Sequence, residues 1–266
     1  MRRPSVQWAL AILITLTSAV WQRISGPTYP VRGTINVGGQ EIRLRLERSY
    51  PIHGRQPVVV NAADTGVSGE VLWRRYPAHG PWQTEALRRE GGQLRGELPP
   101  APLPLMPPAG KLEYQVRLRK GGDEAAFPAV PAVTRFKGHV IPAILAPHIL
   151  AMFAGMLLST RAGLAAVLGG RLKAVSYVTF ALLVVGGLVL GPIVQKIAFG
   201  AYWTGVPWGW DLTDNKTLIA AMAWALAVWR VGSGGLGARG AVLLASLVTL
   251  AVFAIPHSVW GSEAKW

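Results

Sequence analysis

Two histidines, His148 and His257, and one aromatic loop are the parts of this chain whose residue types and spacing suit chemistry. Each histidine follows a proline, in Ala146-Pro147-His148-Ile149 and Ile255-Pro256-His257-Ser258. Proline within a helix removes a backbone donor and frees a carbonyl one turn earlier, which opens space beside it. His148 falls inside an apolar run, about 12 Å below Val140 at the helical rise. An ionisable group at that depth is costly and marks a functional candidate. It would be neutral there, and neutral imidazole is a good ligand for haem iron or a metal ion. His257 sits nearer the water boundary, so the expected depths of the pair differ by about 10 Å. His139 matches His257 better in depth, but it is expected to be interfacial and wet.

The loop between the histidines runs from Phe199 to Lys216 and places Trp203, Trp208 and Trp210 within eight residues. Trp208, Trp210 and Asp211 are the candidates for holding a planar ligand. A plainer reading stands beside this one. Trp and Tyr collect at membrane interfaces, so the loop also reads as an aromatic belt. Thr213, Asp214 and Asn215 precede an apolar helix and suit capping, and Asp211 suits a partnership with Lys216. The only acids after residue 137 are Asp211, Asp214 and Glu263, and none falls inside an apolar run. With no Walker loop and no His-Glu-x-x-His, the chain is not expected to be an enzyme.

These residues need elements to position them. The 266 residues include no cysteine, which excludes disulfides and thiolate metal sites. Half of the side chains (51%) are hydrophobic and only 15% charged, unlike an ordinary soluble or disordered chain. The net charge of +14 is unevenly placed. Residues 24–137 carry 16 basic and 10 acidic side chains, interleaved, and residues 138–266 carry 8 and 3. Interleaving is not the clustered footprint of a nucleic-acid reader, and no such partner is expected.

Residues 1–25 form an N-terminal signal anchor and first span. Met1-Arg2-Arg3 precedes the uncharged Val6–Trp21, and the bulky Trp21 disfavours cleavage. Residues 26–137 read as all-β. Polar and apolar residues alternate over 41–47 and 111–118, with further short strands over 58–61, 70–76, 82–88 and 93–98. Residues 138–266 form a four-helix membrane domain. Apolar runs cover 140–160, 175–194, 218–229 and 241–256, the last two short for a span individually. Gly187-Leu188-Val189-Leu190-Gly191 is a small-residue motif for close helix contact. The expected fold class is therefore a membrane α-helical bundle of about five spans. It carries an inserted extracytoplasmic β-sandwich.

Short-loop charge orients it. Arg2, Arg3, Arg161, Arg171, Lys173, Arg230 and Arg239 fall inside. The β region, the Trp loop and the tail from His257 fall outside, in a bacterial-type inner membrane.

Two resemblances add to this reading. Residues 31–120 resemble an immunoglobulin or fibronectin III module, on Val71-Leu72-Trp73, Trp82, Gly96-Glu97-Leu98-Pro99 and Lys111-Leu112-Glu113-Tyr114, with Trp73 and Tyr114 as core residues. Residues 199–216 are similar to the tryptophan-rich loop of cytochrome c maturation haem-handling proteins, on Gly200-Ala201-Tyr202-Trp203 and Trp208-Gly209-Trp210-Asp211. That resemblance implies haem b, with Trp208, Trp210 and Asp211 along its edge and His148 and His257 as axial ligands. The chain departs from the family in reading Asp211-Leu212-Thr213-Asp214 where the family has Asp-Pro-Lys-Glu. It also has fewer spans. The leading expectation is a non-enzymatic scaffold or accessory subunit that docks other membrane proteins. The alternative is a haem-binding membrane protein for electron transfer or haem delivery.

Overall fold

The computed structural model describes residues 4–77, 80–100 and 109–256. The chain divides into two compact units, one helical and one of β-strands. His257, a proposed ligand, lies outside the described residues.

In the helical unit, α1 (Pro4–Ser25) buries Gln7, Ala11 and Thr15, one stripe at four-residue spacing. α2 (Pro142–Leu168) opens with Pro142 in its first turn, where no intrahelical donor is needed. The next rod has three parts: α3 (Lys173–Leu183), a π-helical segment (Val184–Leu190) and α4 (Gly191–Phe199). The wide turn has a local cause. Pro192 cannot donate to the carbonyl of Leu188, and its ring would crowd that carbonyl in a regular helix. α5 (Leu212–Gly232) and α6 (Ala238–Ala254) complete the unit. Pro4–Ser25, Pro142–Leu168 and Lys173–Phe199 are each long and apolar enough to cross a membrane, and α6 is a shorter apolar helix.

Helix ends identify which termini share a side of this unit. Gln7 of α1 donates to Gly169 O past the end of α2 (3.4 Å). Arg239 of α6 donates to Ala165 O, Ala166 O and Gly170 O at 2.9, 3.1 and 3.2 Å. At the opposite end, the last carbonyls of α6 are satisfied by other helices. Trp21 Nε1 reaches Ala254 O (3.1 Å), Gln22 Nε2 reaches Phe253 O, and Lys216 Nζ reaches Ile255 O (2.7 Å). A helix leaves its final carbonyls without partners, so these three donors replace water there. The carboxyl ends of α1 and α6 and the start of α5 thus share one end.

The β unit holds β1 (Val31–Val37), β2 (Gln40–Leu46), β3 (Ser49–Pro51), β4 (Gln56–Asn61) and β5 (Ser68–Arg75). β6 (Gln83–Ala86), β7 (Arg88–Glu90), β8 (Gln93–Leu98), β9 (Ala109–Lys120) and β10 (Asp123–Lys137) follow. They form sheets β1-β2, β3-β10-β9-β5-β6 and β4-β8-β7. The strands expected over 41–47, 58–61, 70–76, 93–98 and 111–118 are present. The one expected over 82–88 is two strands, with Leu87 turned into the core between them. β1, β3 and β10 were not read from the sequence. β10 hides its period because Pro128 and Pro131 interrupt it. Both fall where the register with β9 shifts, between Phe127 and Ala132, and where no ladder donor is required.

One apolar core joins the sheets, including Ile42, Leu46, Val60, Leu98, Leu112, Val116 and Phe136. Tyr114 is buried in it and Trp73 packs partly against it. The Tyr114 hydroxyl donates to Glu47 O (2.6 Å) and accepts from Gln56 Nε2 (3.2 Å), while Thr134 Oγ1 donates to Gln56 Oε1 (2.6 Å). Tyr114→Phe is expected to cost about 1–2 kcal/mol, because a buried amide loses a partner. Burial first, and then the charge of Glu47, raises the Tyr114 phenol above its usual 10.0. A raised phenol is neutral in the folded state at pH values where the unfolded chain ionises. Its contribution is therefore complete below pH 10.0 and fades as pH rises further. Thermal unfolding followed by circular dichroism should show this alkaline loss in the wild type and a smaller one in Tyr114→Phe.

Candidate functional site

The Trp loop is built on a buried carboxylate. α4 ends at Gly200, whose φ of 88° is left-handed backbone that favours glycine. Lys196 Nζ donates to Gly200 O (2.7 Å) and lies 5.5 Å from the centre of the Tyr202 ring. The chain then folds back along α4. Asp214 Oδ2 accepts from Thr204 N (2.6 Å), Gly205 N (3.0 Å), Gln195 Nε2 (3.1 Å) and Thr204 Oγ1 (3.2 Å). Asn215 Oδ1 accepts from Val206 N (2.7 Å), and Trp203 Nε1 donates to Val206 O (3.1 Å). Trp208 N and Gly209 N donate to Gly205 O, and Asp211 N donates to Thr204 O, at 3.0, 2.9 and 3.0 Å.

Asp211 closes the loop as the cap of α5, its Oδ1 accepting from Thr213 N (2.7 Å) and Asp214 N (3.3 Å). A side-chain acceptor at this position satisfies donors that the first turn leaves free. Asp211 is buried, with Oδ1 turned to these two amides. Lys216, expected beside Asp211, feels that carboxylate's charge and gives its hydrogen bond to Ile255 O at the end of α6. Above this framework Trp208 and Trp210 are 80% and 88% exposed. Neither indole makes a hydrogen bond among the described residues. The loop therefore displays two aromatic faces on a fixed backbone, an arrangement that binds a flat or apolar surface with little ordering cost.

His148 stands on α2 against the π-helical segment. Its Nδ1 is 2.9 Å from Gly186 O, which also accepts from Gly191 N. A carbonyl can only accept, so Nδ1 carries the proton, and Nε2 is the nitrogen left to face a ligand. Metal-ligating histidines are commonly held this way by their second nitrogen. The next residue, Gly187, approaches Thr217, and Thr217 Oγ1 donates to Thr213 O (2.9 Å) in the first turn of α5. One turn of α5 therefore separates the level of the π-helical segment from that of the loop anchors. Gly186 and Gly187 pack inside the bundle, Gly186 against Ala151 and Met152. The small-residue motif is used for internal contact.

Among the described residues no group of three or more His, Asp or Glu side chains could hold a metal ion. Asp214, Gln195 and Thr204 are the site residues that sequence reasoning did not assign. The polar triplet 213–215 was visible as a capping signal, whereas the return of the chain onto Gln195 left none.

Comparison with known protein families, with curated proteins and with solved structures finds no match to this chain.

Proposed function

We propose that this chain is a multi-pass protein of the bacterial-type inner membrane that acts, without catalysis, as a scaffold or accessory subunit. In this reading α5 and α6 join the three longer helical rods as spans, which gives five. The β unit is an immunoglobulin-like sandwich outside, and the Trp loop docks another membrane subunit. The observation that carries it is the pair of exposed indoles, Trp208 and Trp210, on a loop locked from beneath by Asp214. Orientation is supported by charge. Arg161, Arg171, Lys173, Arg230 and Arg239 gather around the connections 169–172 and 233–237, with no acid beside them.

The absence of native cysteine makes the test clean. Trp210→Cys in intact cells should react with a membrane-impermeant maleimide, and Ser233→Cys should react only after permeabilisation. Equal labelling of both would overturn the topology. A photo-crosslinking residue at position 208 should give one discrete protein adduct that disappears in Asp214→Ala. Adducts with lipid alone would overturn the docking role.

A second reading, haem b binding, is favoured by one observation: His148 presents Nε2 with Nδ1 anchored on Gly186 O. In it His148 and His257 would hold the haem iron, and the loop of Trp208, Trp210 and Asp211 would flank the ring. Protein purified from haem-replete cells would show a reduced-minus-oxidised α band that His148→Ala removes. A colourless preparation would exclude this reading.

A further inference from the structure

At the end of the helical unit opposite the Trp loop, a shallow, open cavity of about 600 Å³ lies on the surface at the connection between α2 and α3. Arg171, Leu172, Lys173, Ala174 and Tyr177 line it. Among the described residues five basic side chains lie at this end, and three are engaged. Arg239 is spent on the carbonyls of Ala165, Ala166 and Gly170. Arg161 lies over the Trp8 ring (5.5 Å) and Arg230 over the Trp229 ring (5.1 Å). Arg171 and Lys173 are exposed and make no hydrogen bond or ion pair among the described residues. They flank one cavity, and residues 161–173 and 230–239 contain no acid. Two unpaired cations two residues apart suit a phosphate ester, where guanidinium can bind in a fork and ammonium as a point charge.

The remainder of the lining selects among phosphate esters. Leu172, Ala174 and the Tyr177 ring make the walls apolar, which a small sugar phosphate would leave uncovered. Beyond Tyr177 the same rod exposes Val178, Val185 and Val189. A ligand with a charged head and hydrocarbon tails covers both regions. Basic pockets at the inner ends of membrane helices bind anionic headgroups in this manner.

We propose that this cavity is a binding site for an anionic phospholipid of the inner leaflet. Arg171 and Lys173 hold the phosphate, and an acyl chain lies along Val178, Val185 and Val189. The site rests on the membrane reading above. A headgroup seated there also meets the first turn of α3, which has no side-chain cap.

The test uses the full chain in detergent, titrated with dioleoylphosphatidylglycerol or dioleoylphosphatidylcholine and followed by native mass spectrometry. Phosphatidylglycerol should bind in preference. The double variant Arg171→Gln/Lys173→Gln should lose that preference by about tenfold to thirtyfold, as expected for two charges near a phosphate. Both side chains are exposed and unpaired, so the variant is expected to elute as the wild type does. Arg230→Gln should retain the preference. Equal loss in Arg230→Gln, or no loss in the double variant, overturns the site in favour of diffuse attraction. Glycerol 1-phosphate that displaces the lipid at equal concentration would overturn the lipid assignment in favour of a soluble phosphate ester. Extraction of the chain from membranes by alkaline carbonate would instead refute the membrane reading, whatever the lipid titration shows.

Discussion

Asp214→Ala releases the Trp loop while leaving the helices folded. One carboxylate oxygen accepts from two backbone amides, one hydroxyl and one side-chain amide. Removing it leaves Thr204 N, Thr204 Oγ1 and Gly205 N with no acceptor in a largely buried setting, while Gln195 Nε2 keeps Thr204 Oγ1 (2.8 Å). Each abandoned buried donor costs about 1–3 kcal/mol, and because the losses overlap the expected total is about 3–5 kcal/mol. The loss is local, since Asp211 still caps α5 and Lys196 still holds Gly200 O. A local loss of about 3 kcal/mol raises the open population roughly a hundredfold. Limited chymotrypsin digestion in detergent, with cuts expected after Trp203, Trp208 or Trp210, reads that opening directly. Asp214→Asn keeps one oxygen acceptor without the charge and should fall between the two. Unchanged cleavage in Asp214→Ala would mean that the loop is held by its backbone bonds alone.

Gly187→Ala tests the contact between the π-helical segment and α5. A Cβ on Gly187 would lie 2.5 Å from Thr217 Cγ2, closer than real methyl contacts allow. Overpacking of this kind typically costs about 1–3 kcal/mol. The neighbouring motif glycine differs. A Cβ on Gly191 would meet Gly186 O at 3.4 Å and His148 Cε1 at 3.7 Å, so Gly191→Ala should be tolerated far better. The decisive control is Thr217→Ser, which removes the offending methyl and keeps the hydroxyl that donates to Thr213 O. The double variant Gly187→Ala/Thr217→Ser should regain most of the thermal stability lost by the single one. Failure of the rescue would place the damage elsewhere in the packing.

How much of this was legible depends on the range of the interaction. The alternation at 41–47 and 111–118 announces β2 and β9 because a half-wet strand repeats every two residues. β10 escaped because its two prolines break that repeat at a bulge. The sequence pointed to a helix beginning after the Trp loop and to polar residues able to cap it. It placed the cap among Thr213, Asp214 and Asn215, which lie inside the first turn. The acceptor turned out to be Asp211, one residue before the helix, as the geometry of a first turn requires. Asp214 could not be singled out because its partners Thr204 and Gln195 lie 10 and 19 residues away and meet it only when the loop folds back. The anchoring of His148 on Gly186 was equally hidden, since it depends on a helix that widens for a proline six residues further on.

The three donors that finish α6 set an order of assembly. Trp21 and Gln22 belong to α1, made before the other described helices, and their acceptors, the carbonyls of Ala254 and Phe253, to α6, made after them. During translation those early side chains have no mate for more than two hundred residues. The bundle can close here only once α6 has been made, and a nascent chain arrested before α6 would leave that seam open.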